Sequence, residues 1–144
     1  MEVKQIKTSK LIPYARNNKK HDEYQVKKIA SSLREFGWKQ PIVIDKDHNI
    51  VAGHGRHEAA LLLGLEEVPC IIADDLTKTQ IKAYRIADNK LSAIAEWDNE
   101  MLGLELEDLV GEIDFDVMGF DTTEAEELMN VVEHDFDEEV EEDE

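Results

Sequence analysis

The sequence predicts an α+β domain followed by acidic helices, and three observations carry that prediction. Along the first 95 residues, short apolar runs of strand character alternate with stretches whose apolar residues recur at helical spacing. A strand-like run, Ile50-Val51-Ala52, meets two glycines, Gly53 and Gly55, and then a segment of helical composition opening at Arg56. Charge is divided: residues 1–90 hold all 16 Lys and Arg against 12 Asp and Glu, whereas Leu91 onward holds 22 acidic residues and no basic one.

Taken in order, Val3 to Leu11 reads as a strand, followed by an extended Ile12-Pro13 step because proline disfavours helix at the residue before it. Asn17 to His21 is a polar loop. Tyr24 to Phe36 has Val26, Ile29, Ala30, Leu33 and Phe36 on one helical face, with Asp22 as N-cap and Gly37 as the stop. Pro41 to Ile44 and Ile50 to Ala52 form a hairpin around the turn Asp45 to Asn49. Glu58 to Leu63 is a short helix ending at Gly64, Val68 to Ala73 a strand, and Leu76 to Leu91 a longer helix capped by Thr77, with Ile81, Tyr84, Ile86 and Leu91 among its apolar residues. Strand, helix, hairpin, helix, strand, helix makes a unit closing at residue 95. Residues 96–132 read as an acidic helical extension, with one helix from Met101 to Val110 and another from Thr122 to Val132, joined through Asp114 to Phe120. Residues 133–144 are an acidic tail with too little apolar surface to offset the entropy of ordering, so disorder is expected there.

Composition narrows the function classes. A chain of 144 residues supports one real core with an appendage. Cys70 is its one cysteine, which excludes an internal disulfide and suits a reducing cytoplasm; its apolar neighbours mark it as a buried small hydrophobe. The N-terminus is polar, and no apolar run approaches the roughly 20 residues of a membrane span, so neither a leader nor a membrane partner is expected. A net charge of −18 opposes duplex DNA binding unless the net-positive body presents its cations locally.

Chemistry concentrates at Gly53-His54-Gly55-Arg56. A helix start offers unpaired backbone N–H groups and a partial positive charge, glycines let an anion approach them, and arginine adds a planar fork of donors. This is the chemistry of a phosphate or carboxylate site. His54 or Glu58 is the candidate acid–base residue; His54 is alternatively a phosphate donor, and Glu58 a residue that orients His54 or caps the helix. His54 and His57 stand three apart, but two histidines make no zinc site without a converging third ligand. Lysines 19, 20, 27 and 28 read as a solvated helix face, with a basic patch near the cleft as the alternative.

The order of Leu11-Ile12-Pro13-Tyr14, Phe36-Gly37 with Gln40-Pro41-Ile42-Val43, Ile50 to Arg56, and Ala87-Asp88-Asn89-Lys90 resembles the ParB/sulfiredoxin superfamily over roughly residues 3–95. Asn89-Lys90-Leu91 through Trp97-Asp98 and the acidic Leu-rich segment beyond look like the ParB-like (nuclease) domains of phages and of proteins associated with DNA methyltransferases. The resemblance implies a small mixed sheet flanked by helices and a site for a nucleoside triphosphate, CTP or ATP, with Mg²⁺. Its phosphate and nucleotide residues are Gly53, His54, Gly55, Arg56 and Asn89, with Asp88 on the metal. Sulfiredoxins carry a catalytic cysteine where this chain has His54, so sulfinic-acid reduction is not expected. ParB proper carries two adjacent arginines where this chain has Gly55-Arg56, and a helix-turn-helix region where this chain turns acidic; centromere binding and partition are therefore not expected either.

The reading that follows is a nucleotide-binding module in the DNA metabolism of a phage or mobile element. Its partners would be nucleotide, DNA through the basic body, and a DNA-modifying or DNA-processing protein through the acidic helices. One alternative is a Mg²⁺-dependent enzyme on this fold: a nucleotide hydrolase, nuclease or small-molecule kinase. The other is an interaction module with a vestigial pocket and a partner-binding or DNA-mimicking acidic tail.

Overall fold

A computed structural model describes residues 1–16, 22–94 and 96–130. It divides into two units, Met1–Ala95 and Glu96–Glu144. In the first, β1 (Lys4–Lys7), α1 (Glu23–Phe36), β2 (Ile42–Ile44), β3 (Ile50–Ala52), α2 (His54–Leu63), β4 (Glu67–Ile72) and α3 (Lys78–Ile94) follow the expected order. The sheet runs β1-β4-β2-β3. β1 is antiparallel to β4, β3 is antiparallel to β2, and β2 and β4 are parallel. Parallel neighbours need a crossover, and α2 supplies it. This is a small mixed sheet flanked by helices.

Local chemistry explains the boundaries. The Asp22 carboxylate accepts the Gln25 N–H at 2.7 Å and starts α1; Gly37, at φ +75°, ends it with its N–H on the Leu33 carbonyl. Asp45 shapes the hairpin turn by accepting the backbone N–H groups of Asp47 and Asn49, both at 2.9 Å. Thr77 and Gln80 cap α3 reciprocally, Thr77 Oγ1 accepting the Gln80 N–H and Gln80 Oε1 accepting the Thr77 N–H.

Two boundaries depart from expectation. The first strand stops at Lys7, because Thr8–Lys10 form a 3-10 turn. Thr8 is buried there, its hydroxyl donating to the Leu65 carbonyl at 2.7 Å. α2 begins at His54, four residues before the expected start, so Gly53 alone makes the turn and Gly55 lies within the first helical turn.

The core beneath the sheet gathers Leu11, Ile42, Ile44, Ile50, Ala60, Val68 and Cys70, and Val26, Ala30 and Ala59 join α1 to α2. Cys70 is fully buried, as expected, and burial pushes its thiol from 9.0 up to about 11. Held protonated in the fold, the thiol favours the native state below pH 9, and that contribution fades as the pH climbs toward 11. Cys70 should therefore resist Ellman's reagent in the native protein at pH 8 and react fully in urea; fast native labelling would contradict its burial.

In the second unit, α4 (Asn99–Asp108) is followed by a 3-10 turn, Phe115–Met118, and by a helix over residues 122–130. Asp98, Asp114 and Asp121 each accept a backbone N–H at the start of one of these, which gives part of the acidic composition a structural role. Leu106 and Ala125 are buried, and the rings of Trp97 and Phe120 stand 6.2 Å apart. The expected tail, residues 133–144, lies outside the described residues.

Candidate functional site

A cleft of about 490 Å³ in the first unit is built around the start of α2. Its rim brings together Gly53, His54, Gly55 and Arg56 with Asp88 and Asn89 from α3, which are 32 residues or more away in sequence. Gly53 is the N-cap of α2, at φ +107°, and no side chain caps the helix. Serine or aspartate at an N-cap would satisfy first-turn N–H groups; glycine leaves them open to a ligand. No acidic residue stands in the first turn to repel an anion. Space is tight as well, because a Cβ at position 53 would stand 3.2 Å from Ile42 Cγ1, so that the buried Ile42 side chain would have to give.

Arg56 is half-buried and hydrogen-bonded to Gln40 Oε1, on the loop that leads into β2. Asp88 and Asn89 are half-buried, and Asp88 is the only carboxylate among the described lining residues.

The two acid–base candidates part company. His54 Nε2 accepts the Tyr14 N–H at 3.2 Å, which puts the ring proton on Nδ1 and makes His54 a tether for the segment after β1. Glu58 is exposed and does not line the cleft. His57 is buried, with Nε2 3.2 Å from the Thr8 carbonyl oxygen, so it braces α2 rather than facing the site. No cluster of three metal-ligating side chains occurs among the described residues. Lys27 pairs with Glu23 at 3.4 Å and Lys28 lies over the Tyr24 ring, while lysines 19 and 20 fall outside the described residues.

Two residues not expected at the site also reach it: Tyr14, which the sequence offers only as part of the Leu11-Ile12-Pro13-Tyr14 motif, and Arg85. Ile12 lies beside the turn before β3, its N–H on the His48 carbonyl and its carbonyl accepting the Ile50 N–H, both at 2.9 Å. That pairing carries Tyr14 to the cleft, where the Arg85 guanidinium stacks on its ring at 3.7 Å from the centroid. Arg85 is 8% exposed, and its Nε donates to the Ile50 carbonyl at 3.1 Å. By contrast Ile86 and Leu91, apolar residues of the same helix, are exposed, so the buried face of α3 includes a cation that apolar spacing could not reveal.

A family model described as the ParB N-terminal domain matches residues 1–90. The chain belongs to the ParB N-terminal domain family. The ParB-like nuclease domain-containing protein YnaK of Escherichia coli is 43% identical over 70 residues, covering 49% of this chain and 80% of that protein. The chromosome-partitioning protein Spo0J of Thermus thermophilus is 35% identical over 74 residues, covering 49% of this chain. Only 27% of Spo0J is spanned, so the match is to one part of a longer relative. Among solved structures, the C-terminally truncated chromosome-partitioning protein ParB of Caulobacter crescentus, complexed with CTP-γ-S, aligns with a TM-score of 0.75 at 20% identity. The alignment covers 90% of this chain and 77% of that one, and establishes a shared fold with ParB. Within the described residues of this ParB-family chain, no helix is long and apolar enough to cross a membrane.

Proposed function

We propose that this chain is a ParB-like module that binds a nucleoside triphosphate, acting in the DNA metabolism of a phage or other mobile element. The observation that carries the proposal is the uncapped start of α2 inside a cleft, with Arg56 beside it. Open first-turn N–H groups and the helix dipole hold phosphate, and the Arg56 fork adds charge-assisted hydrogen bonds. Asn89, from α3, also lines the cleft and offers an amide to phosphate or ribose oxygens. CTP is favoured over ATP because the Caulobacter ParB of the same fold is complexed with a CTP analogue.

Asp88 fits Mg²⁺, a hard cation that commonly takes one or two carboxylates and completes its shell with phosphate and water oxygens. Bound there, the ion would offset phosphate charge. His54 holds Tyr14 in place through Nε2, a positioning role. Glu58, outside the cleft, has no part in this reading.

The phage or methyltransferase-associated setting rests on the Asn89-Lys90-Leu91 to Trp97-Asp98 stretch and the acidic segment after it. We place a DNA-modifying or DNA-processing partner with a basic surface on the second unit, so that association should weaken with rising salt. DNA itself would be met by the net-positive body.

The nucleotide reading is tested by calorimetric titration of CTP, ATP, GTP and ADP with Mg²⁺ into the wild-type chain and Arg56→Ala. Charge-assisted hydrogen bonds contribute about 1.5–3 kcal/mol, so the variant should bind at least about tenfold more weakly. No binding to wild type, or equal binding to both, would overturn the assignment.

A further inference from the structure

The second unit holds a groove of its own, of a different chemistry. Glu107 near the end of α4, Val110 just past it, and Glu126, Met129 and Asn130 of the helix over residues 122–130 line a cavity of about 570 Å³. Leu106 and Ala125, each directly before one of these glutamates, are buried, so each helix carries a packed position beside a carboxylate that lines the groove. Val110 is 58% exposed, although it is apolar. The lining thus combines two apolar side chains with two carboxylates. Residues 96–144 hold 22 Asp and Glu and no Lys or Arg, so the unit supplies no lysine or arginine of its own to pair with them. Self-repulsion of this kind is relieved by a bound counter-charge.

We propose that this groove docks a basic amphipathic helix of a partner protein, with apolar anchors on Val110 and Met129 and a lysine or arginine paired to Glu107 and Glu126. A lysine or arginine can lay its aliphatic stem on apolar surface while its head reaches a carboxylate, which is the combination the lining offers. This docking site rests on the reading that the acidic unit meets a basic partner, and it gives that partner a shape as well as a charge. Charge complementarity selects the occupant. Nucleic acid is repelled. A second copy brings another −18, and the residues after Asn130 are themselves acidic, so neither is drawn to an acidic groove. A divalent cation finds no group of three ligating side chains among the described residues. A groove bordered by helices suits a further helix, whose anchors recur at i, i+3, i+4 and i+7.

The experiment is calorimetric titration of three short synthetic peptides into the full chain. The first is built of leucine and lysine with leucine at helical spacing, the second keeps its lysines but has serine for leucine, and the third has glutamate for lysine. The first should bind at least about tenfold more tightly than the second, and the third should not bind. Glu107→Gln with Glu126→Gln should weaken the first peptide about tenfold. Glu105→Gln with Glu124→Gln removes the same charge and should alter binding less than about twofold. Residues two apart on a helix point about 200° from one another, so this control pair lies away from the groove, which neither residue lines. In spectra of methyl-labelled methionine, the Met129 signal should shift saturably with the first peptide and that of Met1 should not. Equal weakening by both pairs, equal binding of the two lysine peptides, or an unmoved Met129 would overturn the groove and leave the reading of a basic partner standing. No binding of either lysine peptide would overturn both.

Discussion

Ile42→Ala is expected to cost about 2–5 kcal/mol of folding stability, the largest single loss among the changes considered. Ile42 is fully buried, sits on β2 opposite Cys70 of the parallel neighbour β4, and belongs to the main core cluster. Truncation removes its transfer free energy and leaves a cavity that a sheet strand cannot collapse into. Against a total stability of about 5–15 kcal/mol for a domain of this kind, that is a large share. The urea midpoint should fall with an unchanged slope, and Ile42→Val should lose only about 0.5–1.5 kcal/mol. Because Ile42 also abuts Gly53, phosphate binding should fall in the Ala variant; intact stability would contradict the packing described.

Gly53→Ala is expected to strike stability and ligand binding together. At φ +107° an L-residue is strained by about 1–3 kcal/mol, and the new methyl would meet Ile42 Cγ1 at 3.2 Å and Ile42 Cα at 3.4 Å. Relief comes from the Ile42 side chain or from the turn, and the positive φ puts the strain in the turn, which aims the first N–H groups of α2. Gly64→Ala supplies the control: φ is +69°, but nothing lies within 4 Å of the added carbon, so only backbone strain is introduced. Denaturant unfolding should rank Gly53→Ala clearly below Gly64→Ala, and only the former should weaken phosphate binding. Equal losses in both variants would mean that the approach to Ile42 is of no consequence.

Much of this architecture was legible because its causes are local. Asp22 and Gly37 bracket α1, Asp45 bends the hairpin and Thr77 opens α3 through bonds that reach two to four residues. The strand-to-helix junction at Gly53 was likewise readable, although Gly55 proved helical: one left-handed residue suffices to turn the chain, and the second glycine needs no special φ. What escaped depends on pairings across the chain. Thr8 leaves β1 because its hydroxyl finds the Leu65 carbonyl 57 residues away, and His57 is buried by the Thr8 carbonyl 49 residues away. Arg85 is the sharpest case. Periodicity treats it as a polar residue between Tyr84 and Ile86, whereas the Ile50 carbonyl and the Tyr14 ring, supplied by two other segments, draw it inside. A buried cation leaves no trace in apolar spacing. Its signal lay in the only arginine of a helix whose other cations are lysines, and that becomes meaningful only beside the cleft.

Phosphate received at the first turn of α2 would be read at the backbone itself in ¹⁵N–¹H correlation spectra of the wild-type chain titrated with Mg²⁺ and CTP. Backbone N–H groups that donate to phosphate oxygens move downfield as these charge-assisted hydrogen bonds form. The largest saturable shifts should fall on His54, Gly55 and Arg56, with Asn89 and Asp88 responding across the cleft. Spectra unchanged at millimolar CTP, or saturable shifts that bypass the start of α2, would contradict phosphate binding there.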